Sequence, residues 1–191
     1  IAGCTVIGEH DAPRGRLIQL QLSNLEMQKT WEFDKSVASV RISPDGERVL
    51  FVLEHSEHRG RPNEVHIMNL LTGVSMQLPG QGNSRTFSSV AGHLFIDDGD
   101  RIWIVSRDGT AACFKTETGE HVEQIQWPAD VTDSIVCWSA ISMPSERVIL
   151  HSDPIRIWDL ASNSLRDLEI SNEDNPNGEK TYMSRLRLAV S

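Results

Sequence analysis

Residues 39–52 read SVRISPDGERVLFV. An alternating apolar run stops at Ser43-Pro44-Asp45-Gly46, and a second apolar run begins at Val49. Proline presets one turn angle and glycine permits a positive φ in the next positions, so the stretch predicts strand, tight turn, strand. The pattern returns in LFIDDGDRIWIV (94–105) and, more loosely, in AISMPSERVILH (140–151).

A second signal interleaves with the first. EVHIMNLLTG (64–73), AACFKTETG (111–119) and IRIWDLASN (155–163) each run from an alternating strand into a polar residue, then Thr or Ser, then Gly or Asn. The polar positions are Asn69, Lys115 and Asp159, 46 and then 44 residues apart. RLIQLQLSN (16–24) is a weaker copy with a shorter turn. Together the signals describe a unit of four short strands in ~40–45 residues, which is the size of one propeller blade. Helical periodicity and low-complexity tracts are absent. The prediction is an all-β chain: a β-propeller of four-stranded antiparallel blades forming an incomplete ring. One partial domain spans 1–191, with the last three strands of a blade in 1–33, whole blades in 37–79, 86–128 and 134–170, and the first strand of another within 181–191. The polar cluster SNEDNPNGEK (171–180) links the last two.

These motifs resemble the WD-repeat (WD40-type) propeller family. Trp158-Asp159 in IRIWDL stands as the family's Trp-Asp strand ending, and ISPDGERVLFV as its first hairpin. SRDGTAACFKTETGE (106–120) is similar to the family's Asp-Gly-Thr strand entry and Thr-Gly turn, with Phe114-Lys115 where Trp-Asp would stand. Gly92-His93 lies inside an expected first strand and is not read as the family's Gly-His signature. The resemblance covers nearly the whole chain and implies a divergent, partial ring. Propellers close with ~4–8 blades. WD-repeat rings commonly have seven, about 300 residues at this period. The remaining blades are therefore expected from the same, longer polypeptide or from a second chain.

The chain has 191 residues and a formal net charge of −9, with 18 basic residues of which only Lys29, Lys35, Lys115 and Lys180 are lysines. Such a balance repels phosphate backbones, so no nucleic-acid partner is expected. No apolar run reaches the ~18–20 residues that span a bilayer, and no membrane partner is expected. Cys4, Cys113 and Cys137 show no metal-type spacing and read as buried thiols in an intracellular, cytoplasmic or nuclear, compartment.

The sequence predicts no catalytic, cofactor or metal residues. His55 and His58 sit beside Glu54 and Glu57, but no third ligand is placed near them and the stretch reads as a solvated loop. There is no GxSxG elbow. PGQGNSR (79–85) has neither the lysine nor the following helix of a phosphate loop. Asp97, Asp98 and Asp100 lack the spacing of a calcium loop and read as an acidic turn. Trp103, Trp138, Trp158, Phe51 and Phe114 lie in alternating strands and are expected between blades, whereas Trp31 and Trp127, near the ends of outer strands, are expected to be more exposed.

Sorting the loops by strand end separates the charges. One–two and three–four hairpin turns collect Asp45, Glu47, Asp97, Asp98, Asp100, Glu117, Glu120 and Glu146. The opposite end collects Arg14, His55, His58, Arg59, Arg61, Arg85 and Arg107, diluted by acids such as Asp108. Arginine's planar fork pairs carboxylates and stacks on aromatics, which makes this mixed end the candidate partner-binding face. The expected function is a non-catalytic protein–protein interaction scaffold with a protein or peptide partner, within a larger multidomain protein. The alternative is the propeller portion of a prolyl-oligopeptidase-like serine hydrolase with its catalytic domain elsewhere; ISPDGERVLFV and EVHIMNLLTG also resemble such propellers.

Overall fold

The computed structural model describes residues 2–6, 14–21, 23–54, 63–80, 87, 90–128, 140–143, 146–150 and 156–167, with backbone only for 2–6, 14 and 140–143. The segment 181–191, Cys137 and Trp138 lie outside the described residues.

The chain is all-β and forms four antiparallel sheets, each a meander whose strands neighbour one another in chain order. Sheet I holds β1 (Ala2–Val6), β2 (Arg14–Leu20) and β3 (Met27–Phe33). Sheet II holds β4 (Ser36–Ile42), β5 (Arg48–Glu54), β6 (Glu64–Asn69) and β7 (Ser75–Gln77). Sheet III holds β8 (Val90–Ile96), β9 (Arg101–Ser106), β10 (Thr110–Lys115) and β11 (His121–Gln126). Sheet IV holds β12 (Ala140–Met143), β13 (Arg147–Leu150), β14 (Arg156–Asp159) and β15 (Ser164–Asp167).

The opening hairpin forms as its residues dictate. Ser43 N–H donates to the Arg48 carbonyl, Gly46 N–H to the Ser43 carbonyl, and Gly46 takes φ +76°. The Asp45 carboxylate accepts from Glu47 N–H at 2.9 Å, closing the turn from within. The turn at 97–100 is tighter, with Asp98 and Gly99 at φ +54° and +104°.

Alternation along the central strands decides the stacking. A strand sends successive side chains to opposite faces. In β5, Val49, Phe51 and Leu53 join Leu17, Val37 and Met68, with Trp31 and Phe33 packed on them, between sheets I and II. The intervening Leu50 and Val52 join Val65, Ile67, Ile102, Ile104 and Phe114 between sheets II and III. In β9, Trp103 and Val105 face the other way and meet Val148, Leu150 and Trp158 of sheet IV. Sheets II and III are thus buried on both faces, which is why their central strands read as unbroken apolar runs. The last strands of sheets I, III and IV behave differently: β3, β11 and β15 are largely exposed. No helix among the described residues is long and apolar enough to cross a membrane.

Candidate interaction surfaces at the two strand ends

The hairpin turns gather at one end of the strands. In each four-stranded sheet the residue after the third strand donates its N–H to a carbonyl in the one–two turn: Leu70 to Glu47, Thr116 to Asp100 and Leu160 to Glu146, each at 2.9 Å. These donors repeat at the spacing of Asn69, Lys115 and Asp159. The next turn repeats too. Gly73, Gly119 and Asn163 all take the left-handed conformation, at φ +75°, +68° and +48°. Asn69 Oδ1 accepts from Leu71 and Thr72 N–H, and Asp159 Oδ1 accepts from Ser162 N–H. Asn163 serves where the others use glycine because its short amide tolerates this region best among ordinary side chains.

That left-handed residue is also where neighbouring sheets meet. Trp31 of β3 lies over Gly73, where an added Cβ would come within 3.0 Å of its indole nitrogen. Met76 of β7 lies over Gly119 in the same way, its sulfur 3.0 Å from such a Cβ. At the third joint Asn163 Nδ2 donates to the Gln126 carbonyl, and Asn163 Oδ1 accepts from Trp158 Nε1 at 3.0 Å. The same joint, the last strand of one sheet against the last turn of the next, is built three times. Trp31 and Trp127 are half-buried, more exposed than the fully buried Trp103 and Trp158, as their place near the ends of outer strands predicts. Trp31 packs against the core between sheets I and II from its edge, and Trp127 meets Trp158 edge-on, 5.7 Å between centroids.

The hairpin-turn end carries more positive charge than sorting by loops suggests. The second strands begin with Arg48, Arg101 and Arg147, which pair with Asp45, Asp97 and Asp159. Arg101 also reaches Glu146 of sheet IV at 3.3 Å. The Ser43 hydroxyl, then Glu47 N–H, hold the Asp45 carboxyl below its ordinary value. Ser162 N–H and hydroxyl, then Arg147, do the same for Asp159. Among the described residues Glu47, Asp98, Asp100 and Glu117 make no ion pair and leave this end with unpaired acid.

A cleft of about 420 Å³ opens at this end between sheets I and II. Gln19, Gln28 and Lys29 line one side, and Glu47, Asn69 and Leu71 the other. Lys29 Nζ crosses it to donate to the Leu70 and Leu71 carbonyls at 3.1 and 2.9 Å. Gln19 Oε1 is buried there without a hydrogen-bond partner. A β-bulge shifts the β2–β3 register between Gln19 and Leu20, beside the cleft. Sequence reasoning did not single out these residues, because the cleft joins segments some 20 to 40 positions apart.

At the opposite end Arg107 is exposed in the β9–β10 turn, and Arg14 is the first residue of β2. His55, His58, Arg59, Arg61 and Arg85 lie outside the described residues. The turn carrying Arg107 is anchored rigidly. Asp108 Oδ1 accepts from Thr110 N–H, Gln126 Nε2 donates to the Asp108 carbonyl, and Trp127 N–H donates to the Gly109 carbonyl.

Between the two ends, His93 of β8 lies in the seam between sheets II and III. Its Nε2 is hydrogen-bonded to the Ser39 hydroxyl of β4, and its Nδ1 is buried without a partner. Burial, with Arg41 nearby, pushes the imidazole down to about 3. Held neutral, with no carboxylate on Nδ1, this pair lacks the orienting group of a hydrolytic triad. Among the described residues no group of three His, Cys, Asp or Glu side chains is placed to hold a metal ion. No protein-family model and no curated protein matches the chain.

Proposed function

We propose that the four sheets are successive blades of a WD-repeat-type β-propeller and that the chain serves as a non-catalytic protein–protein interaction scaffold. The thrice-repeated joint carries this reading. A unit that locks onto its neighbour through the same two positions, as Trp31 on Gly73 and Met76 on Gly119 do, extends into a rigid array. Turns and loops at the strand ends then vary without disturbing the core, and a rigid frame presents them to a partner with little ordering cost. Arg107, exposed on an anchored turn, represents the mixed face on which a protein or peptide would sit.

Two measurements on the natural full-length polypeptide test the reading. Cross-linking mass spectrometry of the native particle should place a partner protein on the turn around Arg107 or on residues 55–62, and Arg107→Glu should weaken that complex. Labelling of a serine in the same polypeptide by a fluorophosphonate probe would instead identify a serine hydrolase and overturn the scaffold reading.

A further inference from the structure

The three equivalent hairpin turns act as internal controls for one another. Aligned on Asn69, Lys115 and Asp159, position 71 corresponds to Glu117 and Ala161, and position 74 to Glu120 and Ser164. Sheet II alone places large apolar residues at both positions, Leu71 at 84% and Val74 at 71% exposure. The turn of sheet I beside the cleft adds exposed Leu25 and Met27. Leu25 also takes φ +58°, which costs a branched residue more than it costs Asn or Gly. Nothing in the folding of the sheet II turn requires Leu71 and Val74, since the same turn forms in sheets III and IV without them.

We propose that the cleft between sheets I and II is a docking site for a peptide segment that carries an apolar side chain flanked by Lys or Arg. Three features select that chemistry. Glu47 lines the cleft without an ion pair among the described residues, and Asp98 and Asp100 extend the unpaired acid along the same end. Lys29 Nζ is held on two backbone carbonyls and makes no ion pair with Glu47, so the Glu47 carboxylate stays available to a ligand cation. Gln19 Oε1 waits for a donor, which a peptide N–H or an ammonium supplies. A cleft of about 420 Å³ accommodates one large side chain and its flanking backbone. A second copy fits less well, because chains of net charge −9 repel through a shared acidic end. The site extends the scaffold reading to the opposite strand end from Arg107, so each surface fails or survives separately.

The test pans a phage-displayed random dodecapeptide library on the full chain at physiological salt. Enriched peptides are then measured by fluorescence polarisation. Peptides combining Lys or Arg with Leu, Ile or Phe should emerge. Leu71→Glu with Val74→Glu, which installs the residues of sheet III, should weaken them tenfold or more although it adds two negative charges. Adsorption driven by charge alone would tighten instead. Leu71→Ala with Val74→Ser, which approximates sheet IV, carries the same test if the first variant folds poorly. Glu47→Gln should cost a further few-fold. Failure to enrich any peptide, enrichment of acidic peptides, or unchanged binding to the double variants overturns the proposal. So does a sedimenting dimer that either double variant dissociates, which would make a second copy the occupant.

Discussion

His93 of β8 and Ser39 of β4 form a polar contact between sheets II and III, beside the apolar cluster that packs the two sheets together. Burial, and then the Arg41 charge, keep this imidazole neutral. The unfolded chain has no such constraint and protonates this histidine near 6.5. Between about pH 6.5 and 3 the unfolded state therefore binds more protons, and stability falls as pH falls. From pH 6.5 to 5 the loss should reach about 1–2 kcal/mol. Urea titrations of wild type and His93→Gln at these two pH values check this. Parallel losses in both proteins would show that His93 carries none of the dependence, since His66, lowered by burial, contributes equally to both.

Gly46 and Gly109 share a left-handed backbone, at φ +76° and +86°, but not the same surroundings. A Cβ on Gly46 meets nothing within 4 Å, while one on Gly109 comes within 2.8 Å of the Trp127 ring. Gly46→Ala should cost about 1 kcal/mol from backbone strain alone. Gly109→Ala should cost clearly more, about 2–3 kcal/mol, because Trp127 must move. Equal shifts in urea midpoint would mean that the ring yields freely.

Trp158 is fully buried, touches Trp127 edge-on and donates to Asn163. Trp158→Phe keeps much of the volume but loses the hydrogen bond to Asn163 Oδ1 and part of the ring's packing, and should cost about 1–3 kcal/mol. Trp158→Ala leaves a cavity in the core between sheets III and IV and should cost about 3–5 kcal/mol. Thermal unfolding of the two variants should keep that order; a phenylalanine variant as unstable as the alanine one would refute the split.

Burial raises the Cys113 thiol to about 11. At pH 8 about one molecule in a thousand then carries the thiolate, the reactive form. Peptide mapping after a brief maleimide pulse should find Cys113 unmodified in the native protein and modified in urea. Native labelling comparable to that in urea would place it at the surface.

Much of the architecture is visible in the residue order because turns are local. Ser43-Pro44-Asp45-Gly46 closes its hairpin through contacts no more than five residues apart. The Thr72-Gly73, Thr118-Gly119 and Ser162-Asn163 pairs mark the second turn for the same reason: a left-handed residue must follow, and few residue types tolerate it. Period and strand order follow from these local requirements.

What tertiary structure alone decided is which sheet each face meets. Alternation assigns Val49 and Leu50 to opposite faces, but both are apolar, and only stacking sends one toward sheet I and the other toward sheet III. Trp31 and Trp127 end half-buried, more exposed than Trp103 and Trp158, because Gly73 of the next sheet's turn meets one and Trp158 of the next sheet meets the other. The cleft beside Leu71 has the same origin. The residues of its turn could be compared with their repeats in the sequence, but its walls exist only where β3 leans over the neighbouring sheet. Local geometry sets the unit, and the offset between units, fixed by side-chain packing at each joint, sets the surfaces.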